Sequence, residues 1–283
     1  MSDACKSCAS SGSCNIDPND CDGAVEIEKS LIGSLNSIKN VIVVMSGKGG
    51  VGKSSVTGLI ASELARQGNK VGVLDADITG PSQPRAFGLK DIQLQGSEYG
   101  IIPPVTKLGI KLISINFFLP REDDPVIWRG PILAGAVKQF WEEVDWRDLD
   151  YLVVDLPPGT GDVPLTVMQT LPVKGIVIVS SPQELAVMVV KKTINMAKKM
   201  SIPILGLVEN MSYAICSHCQ EKLQIFGESQ GEKVARDNDI DYLGGLPWDA
   251  VLNQAVDQGQ IENYDSPDIK AIAARIMAKT GGK

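Results

Sequence analysis

Residues 47–54 form a glycine-rich loop with the spacing G-x-x-x-x-G-K-[ST], which is typical of a phosphate-binding loop (P-loop). Its glycines let the backbone curl so that several N–H groups face one phosphate, and a following helix would add positive potential. Lys53 would bridge phosphates, and the hydroxyl of Ser54 would ligate Mg²⁺. The predicted nucleotide-binding residues of this stretch are Gly47, Lys48, Gly49, Gly50, Val51, Gly52, Lys53, Ser54 and Ser55.

Carboxylates follow two other short apolar runs. Asp155 stands where a P-loop protein places the second carboxylate that holds the Mg²⁺ shell. Asp75 and Asp77 also follow a predicted strand, and ligands of open α/β sheets bind beyond the carboxyl ends of strands. Asp77 is the candidate for orienting an attacking water, whereas Asp75 is interpreted either as a nucleotide contact or as a turn or capping residue. The loop after Asp155 carries Gly159, at which backbone could approach a γ-phosphate.

Lys48 adds a second cation to the loop, five residues before Lys53. Its charge would point away from its own loop unless a phosphate from elsewhere lies nearby. On residue type alone, Lys48 is therefore either a solvated surface lysine or a contact to a phosphate bound by another molecule.

The isolated pair Cys216 and Cys219 indicates metal chemistry, because thiols inside cells are kept reduced. A C-x-x-C pair supplies half of the four ligands that a tetrahedral or cubane site needs. A two-fold dimer would bring two such pairs together. The spacing does not separate an iron–sulfur cluster from Zn²⁺, and a buried or redox-active thiol pair is a third alternative. His218, the only histidine, is interpreted as an exposed neighbour of the two thiols.

A second set of cysteines lies in the first 21 residues: Cys5, Cys8, Cys14 and Cys21. These four thiolates could close a site within one chain, around a cluster or Zn²⁺. Residues 1–23 contain almost no large apolar side chain, so hydrophobic burial cannot repay their ordering entropy. We therefore treat residues 1–23 as a cysteine-rich segment that folds around a metal or stays loose.

The composition excludes several classes of partner. The chain has 283 residues, of which 43% are hydrophobic, enough for a sizeable core. Its 27 Lys and Arg against 34 Asp and Glu give a net charge of −7, which argues against nucleic acid. The apolar runs are far shorter than the roughly 20 residues of a membrane span, and the N-terminus lacks the features of an export signal. We expect a cytoplasmic protein with no nucleic-acid and no membrane partner.

Short apolar runs alternate with helical patterns over residues 24–283, which predicts one α/β domain whose mostly parallel sheet is covered by helices on both faces. An amphipathic helix is expected over residues 24–38. The predicted strands are Val41–Met45, Val71–Leu74, Ile110–Ile113, Tyr151–Val154, Ile176–Val179 and Ile204–Val208. The predicted helices are Ser54–Gln67, Pro131–Glu143, Asp162–Gln169, Gln183–Met200, Glu228–Asn238 and Pro267–Lys279.

Five motifs, in this order, resemble those of the Mrp/ApbC branch of the deviant Walker A ATPases: SGKGGVGKS, DADITGPSQP, WRGPILAGAVKQF, VVDLPPGTGD and VENMSYAICSHC. That branch includes the cytosolic scaffold proteins for iron–sulfur clusters and is kin to MinD, ParA and the nitrogenase iron protein. The resemblance covers most of residues 40–250. It implies a MinD-like P-loop fold and an ATP-dependent homodimer.

The resemblance also implies roles for particular residues. Lys48 would reach the nucleotide of the partner subunit, Lys53 would act in its own subunit, and Asn210 would read the adenine, although an asparagine there could equally cap a turn. The Cys216–Cys219 pairs of two subunits would hold a bridging [4Fe–4S] cluster. The N-terminal C-x₂-C-x₅-C resembles the cluster segment of the cytosolic scaffolds, but their fourth cysteine lies upstream of the pair, where this chain offers only Cys21 as a substitute.

The expected function is a slowly ATP-hydrolysing homodimeric carrier that assembles a [4Fe–4S] cluster at its interface and transfers it to apo iron–sulfur proteins. Lys48, Lys53, Asp77 and Asp155 are its predicted catalytic residues. Two alternatives remain: an ATP-gated electron donor of the nitrogenase-iron-protein kind, and a spatial organiser of the MinD or ParA kind. The cysteines count against the spatial organiser.

Overall fold

The computed structural model describes residues 36–77, 80, 82–90, 92–118, 130–183 and 187–282. The predicted cysteine-rich segment 1–23 and most of the predicted helix over residues 24–38 lie outside the described residues. Ser37 and Ile38, the last residues of that predicted helix, are part of a strand, so this end of the prediction is wrong. They are extended because Ser37 pairs with Asp148 and donates its N–H to the carbonyl of Arg147.

A central parallel sheet organises the chain, and its strand order is β10-β8-β7-β1-β6-β2-β5. A short strand, β9, pairs antiparallel with the end of β8, and β3 and β4 form a separate hairpin. The strands are β1 (Ser37–Ser46), β2 (Val71–Asp75), β3 (Gln95–Ser97), β4 (Gly100–Ile102), β5 (Lys111–Ser114), β6 (Asp148–Asp155), β7 (Val173–Ser180), β8 (Ile204–Ile215), β9 (Lys222–Leu223) and β10 (Tyr242–Trp248).

Helices cover both faces of the sheet, as predicted. They are α1 (Lys53–Arg66), α2 (Gln83–Ala86), α3 (Gly130–Glu143), α4 (Asp162–Thr170), α5 (Val187–Lys199), α6 (Gly231–Asp237), α7 (Ala250–Asp257) and α8 (Pro267–Thr280). Helices α3 to α6 contribute to one core cluster, and α1, α2, α7 and α8 contribute to the other. Alternate residues of β1 enter opposite clusters: Val43 and Met45 one, Ile42 and Val44 the other. Burial on both faces explains why this strand reads as an uninterrupted apolar run.

Several elements were not predicted or have different bounds. The strand β10 contains two glycines and a proline, which disfavour strands, and it forms by pairing with β8. Helix α6 begins at Gly231 and not at the predicted Glu228. The buried carboxylate of Glu209 on β8 accepts the N–H groups of Gln230 and Gly231, both at 3.0 Å, and thereby fixes the start of the helix.

The register of the sheet brings the predicted site residues to one end. Strand β6 lies between β1 and β2, and Asp155 at its carboxyl end pairs with Val44 of β1 and with Asp75 of β2. The P-loop follows directly after β1. The three adjacent strands therefore place the loop and both carboxylates side by side.

The contact between α2 and α7 gives a stability prediction. A Cβ on Gly259, whose φ is +69°, would lie 2.5 Å from the Cα of Gly88. Gly68 has a similar φ of +84°, but a Cβ there would have no neighbour within 4 Å. We expect Gly259→Ala to lower the free energy of unfolding by about 1–3 kcal/mol more than Gly68→Ala. Both substitutions place a Cβ on a backbone with positive φ, but only Gly259→Ala also causes steric overlap with Gly88. Equal losses in chemical denaturation would contradict the packing described here.

Candidate functional site

The P-loop connects β1 to α1 and is held from beneath by two hydrogen bonds. The hydroxyl of Ser46 donates to the carbonyl of Lys48 at 2.9 Å, and the N–H of Gly159 donates to the carbonyl of Ser46 at 2.8 Å. Gly50 and Gly52 have φ values of +85° and +75°, in the left-handed region where glycine is favoured. The loop is therefore joined to the segment that follows β6 before any ligand binds.

A buried cation and three carboxylates lie at the centre of the site. The ammonium of Lys53 donates to Asp155 and lies 3.3 Å from a carboxylate oxygen of Asp77. Burial alone would lower the pKa of Lys53, but Asp155, Asp77 and Asp75 together raise it above its ordinary value. Lys53 is therefore held in its charged form, at the position where the phosphates of a nucleotide would enter the P-loop.

Asp155 accepts three side-chain hydrogen bonds. Its Oδ1 accepts from Lys53 and from the hydroxyl of Thr57 at 3.2 Å, and its Oδ2 accepts from the side chain of Gln83 at 2.9 Å. The hydroxyl of Ser54, the predicted magnesium ligand, lies 3.3 Å from the Lys53 ammonium. Both side chains contact the Lys53 ammonium, and hydroxyl and carboxylate oxygens are ligands that Mg²⁺ prefers, so these residues fit the predicted ion.

Asp75 holds the loop that follows β2 by hydrogen bonds. It is fully buried, and its carboxylate accepts the N–H groups of Asp77 at 3.1 Å and Gln83 at 3.3 Å, together with the hydroxyl of Ser114 at 3.2 Å. Burial raises the pKa of Asp75 well above its ordinary value, and the negative charge of the neighbouring Asp155 raises it further. Asp75 thus holds both ends of the loop that carries Asp77. A direct contact between Asp75 and a nucleotide stays a prediction.

Gln83, like Thr57, is a site residue that the sequence analysis missed. Its side-chain amide is fully buried and donates to Asp155 and to the backbone carbonyl of Ser54, both at 2.9 Å. It thereby links β6 to the first turn of α1. Its Oε1 is buried without a hydrogen-bond partner and faces Gly58, where an added Cβ would lie 3.3 Å away. The surrounding letters, P-S-Q-P, indicate a turn and give no sign of such a role.

Asn210 packs against the P-loop. It is buried near the middle of β8, and its side-chain amide donates to the carbonyl of Val51 at 2.9 Å. A Cβ on Gly52 would lie 2.2 Å from the same nitrogen, so only glycine fits there. The structure therefore brings Asn210 to the loop as a support. Its predicted contact with adenine is not tested by this geometry.

Lys48 and the cysteine pair lie at or near the surface of the chain. The side chain of Lys48 projects from the loop into solvent.

Cys219 is exposed and Cys216 is partly buried, in a turn between β8 and β9. The backbone N–H groups of Cys219 and His218, which donate to the sulfur of Cys216, lower the pKa of that thiol. His218 is exposed, as predicted. A thiol with a lowered pKa provides the thiolate that metal binding requires.

The cysteine pair is an incomplete ligand set. Among the residues that the structure describes, no group of three or more His, Cys, Asp or Glu side chains is placed to hold a metal ion. The N-terminal cysteines lie outside this part of the chain.

Within the same described ranges, no helix is both long and apolar enough to cross a lipid bilayer.

The parallel sheet, the glycine-rich loop between β1 and α1, and the Lys53–Asp155 pair define a P-loop nucleoside triphosphatase fold. Residues 37–280 match the family described as the NUBPL iron-transfer P-loop NTPase. The chain therefore belongs to this family of iron-transfer P-loop NTPases.

Individual relatives agree with this assignment. The chain is 46% identical over 268 residues to the iron-sulfur cluster carrier protein of Clostridium perfringens, an alignment covering 92% of this chain and 94% of the relative. It is 45% identical over 257 residues to the cytosolic Fe-S cluster assembly factor CFD1 of Kluyveromyces lactis, covering 86% and 91%.

Solved structures show the same fold. The nucleotide-binding protein of Archaeoglobus fulgidus in complex with ADP, in which cobalt was found, superposes with a TM-score of 0.76 at 45% identity, covering 85% of this chain and 95% of that one. The cell division ATPase MinD of Pyrococcus furiosus superposes with a TM-score of 0.61 at 20% identity, covering 85% and 98%. The likeness to MinD concerns the fold alone.

The position of Gln83 gives a second prediction. Gln83→Met keeps the length of the side chain but leaves Oδ2 of Asp155 without this buried donor. We expect the free energy of unfolding to fall by about 1–2 kcal/mol. We also expect weaker binding of Mg²⁺-ADP relative to metal-free ADP in calorimetry. The exposed Gln254→Met is the matched control. If both variants behave alike, Gln83 does not position Asp155.

Proposed function

We propose that the protein is an ATP-hydrolysing homodimer whose two subunits together assemble a [4Fe–4S] cluster and transfer it to apo iron–sulfur proteins. One observation carries this proposal: the P-loop follows β1, the cysteine pair follows β8, and only β7 lies between these two strands in the sheet. The P-loop motif is complete, whereas the cysteine pair supplies half of the thiolates that a cluster needs. The names of the relatives, iron-sulfur cluster carrier protein and cytosolic assembly factor, support the cargo and a cytoplasmic location.

The nucleotide half of the proposal follows from the charges around Lys53. An incoming phosphate would share the Lys53 ammonium, which now lies between Asp155 and Asp77. Asp155 and Ser54 would hold Mg²⁺, which would neutralise charge that develops on the phosphates. Asp77, whose carboxylate lies 3.3 Å from the Lys53 ammonium, would orient the attacking water. The relative from Archaeoglobus fulgidus, which was solved with ADP, supports nucleotide binding by this chain.

The proposed role of Lys48 requires a second subunit. Its exposed side chain lies on the loop but outside the buried group around Lys53. A cation placed there would stabilise transition-state charge on the nucleotide of a partner subunit, as an arginine finger does in other P-loop enzymes. Asn210 would support the loop from its own subunit, and a contact with adenine is part of the proposal.

The cluster half of the proposal depends on ligand number. Cys216 and Cys219 supply two thiolates, and a cubane cluster takes four. An isologous dimer repeats the same patch and would bring in the second pair. The N-terminal cysteines would form a separate site within one chain, for a cluster or for Zn²⁺.

ATP would act on the cluster through the loops that it contacts. The N–H of Gly159 is already bonded to the residue that precedes the P-loop, and Gly159 has a φ of +90° with open space around it. A γ-phosphate that binds this loop favours one dimer arrangement by its additional contacts, and hydrolysis removes that preference. Intact transfer of the cluster to an apo-acceptor supports the carrier. Redox cycling of a cluster that stays bound would instead indicate an electron donor.

The role of Lys48 predicts a separation of binding from catalysis. We expect Lys48→Ala to bind ATP within about threefold of the unmodified protein and to lose hydrolysis by about 10²-fold or more, because it removes a charge made available only in the dimer. Lys107→Ala changes another exposed lysine and serves as control. Unchanged turnover in Lys48→Ala would contradict the cross-subunit role.

The bridging cluster predicts a dependence on the cysteine pair alone. In a full-length chain whose four N-terminal cysteines are replaced by serine, anaerobic reconstitution should yield about four irons per two chains. Adding Cys216→Ser should abolish the visible absorption of the cluster, whereas Ser217→Ala between the two thiols should leave it. Retention of the cluster without Cys216 would show that this pair does not hold it.

A further inference from the structure

A groove lies between α4 and α5, on the face of the sheet that α3 to α6 cover. It has a volume of about 390 Å³. Leu165 of α4 and Thr160, in the loop before this helix, form one wall. The other wall is one face of α5 and of the residue after it, whose members recur at intervals of three and four: Lys192, Asn195, Met196, Lys199 and Met200. We call this feature the α4–α5 groove.

The α4–α5 groove combines apolar and basic side chains. Met196 is buried, and Leu165 and Met200 pack against the core cluster of this face. Lys192 and Lys199 are exposed. The described residues that line the groove include no acidic side chain, although the chain as a whole has a net charge of −7. The groove therefore fits an apolar segment that carries a carboxylate.

The chain that precedes β1 reaches the sheet close to this groove. Asn36 is held at the amino edge of the sheet, because its side chain forms hydrogen bonds of 2.9 Å with the backbone of both Val144 and Arg147. Met200 lies at the same edge, shortly before β8 begins. Ile38, near the start of β1, packs against the same core cluster as Met200. The residues before Asn36 therefore approach the face on which the groove lies.

The sequence of residues 24–35 matches the α4–α5 groove in length and pattern. A helix that leads into a strand of a parallel sheet runs antiparallel to that strand, as α5 does before β8. Twelve helical residues are about 18 Å long, close to the roughly 20 Å of α5. The apolar residues of this segment fall on one side of such a helix: Ala24, Val25, Ile27, Leu31, Ile32 and Leu35.

One carboxylate interrupts this apolar side. At about 100° per residue, Glu28 lies between Ile32 and Leu35 in the helical projection, whereas Glu26 lies on the opposite side. A carboxylate among apolar side chains is costly to bury unless a cation pairs with it. The lysines of the α4–α5 groove are such cations, so the segment and the groove are complementary in charge as well as in apolar surface.

We propose that residues 24–35 of this chain dock as a helix into the α4–α5 groove, with Glu28 paired to Lys192. Glu28 lies eight positions before Asn36, and Lys192 lies eight positions before Met200. Because the docked helix and α5 run parallel and end at the same edge of the sheet, this equal spacing brings Glu28 level with Lys192. The inference does not depend on the proposed pairing of subunits.

Docking of residues 24–35 would place the cysteine-rich segment 1–23 at the nucleotide end of the sheet. Helix α5 begins at the carboxyl edge, so a helix parallel to it also begins there. Thr160, which lines the groove, directly follows Gly159 in the loop after β6. The N-terminal cysteines would therefore be joined to the core beside the loop at which a γ-phosphate could bind.

The test is amide hydrogen exchange of residues 24–35, measured by mass spectrometry in the reduced full-length protein. We expect this segment to be protected. Lys192→Glu and Glu28→Lys should each speed its exchange about fivefold or more, because two like charges replace an ion pair. The double variant, Glu28→Lys with Lys192→Glu, should restore most of the protection.

Two charge reversals serve as matched controls. Lys191 is exposed on α5 but does not line the α4–α5 groove, so Lys191→Glu should leave the exchange unchanged. Glu26→Lys should also leave it unchanged, because Glu26 lies on the side of the helix that faces away from the groove.

Four results would overturn the inference. Exchange of residues 24–35 at the rate of an unstructured peptide would show that the segment does not dock. Protection that Lys192→Glu and Lys191→Glu affect equally would place the segment elsewhere. Protection that is lost on dilution would show that it docks on a second copy. If Lys192→Glu leaves the exchange unchanged and slows transfer to an apo-acceptor, the groove serves the acceptor. None of these results bears on ATP hydrolysis or on the bridging cluster, which the experiments on Lys48 and Cys216 test.

Discussion

The structure depends on one buried positive charge. Lys53 lies at the start of α1 among Asp155, Asp77 and Asp75, and these carboxylates compensate the desolvation that would otherwise favour the neutral amine. Such a group is costly to bury without partners, and it is stable here because β6, β2 and the loop directly after β2 supply them. The same arrangement accepts a phosphate readily, since a mobile anion can take over part of the role of the fixed carboxylates. Nucleotide binding would therefore redistribute contacts that already hold β1, β2 and β6 together.

Loops at this end of the sheet are tied to one another by specific bonds. Asp75 holds both ends of the loop of Asp77, Gln83 joins Asp155 to α1, and Gly159 is bonded to Ser46. A change in the contacts at the phosphate site would therefore alter each of these loops directly, without a rearrangement of the hydrophobic core. The thiolate pair lies beyond the same edge, on a strand that also supports the P-loop through Asn210. In the proposed dimer, this arrangement would give the nucleotide state a short route to the cysteine pair.

Sequence patterns predicted those features that depend on local composition. The apolar run Val41–Met45, the glycine spacing after it and the position of Asp155 indicated the sheet and the P-loop, and the fold class is confirmed. Gln83 escaped prediction because its partners are 29 and 72 residues away, and nothing local distinguishes it from a turn residue. Strand β10 was missed because Gly244, Gly245 and Pro247 disfavour strands.

The proposed function depends on pairing, because Lys48 would act on the nucleotide of a partner subunit and the described cysteine pair supplies two of the four thiolates of a cubane cluster. The most direct test is native mass spectrometry of the anaerobically reconstituted full-length protein with its N-terminal cysteines replaced by serine, in the presence of ATP. We expect a species of two chains that carries one [4Fe–4S] cluster and two nucleotides, and we expect the cluster to be lost when the dimer is dissociated. A single chain that retains a whole cluster and hydrolyses ATP would contradict this expectation.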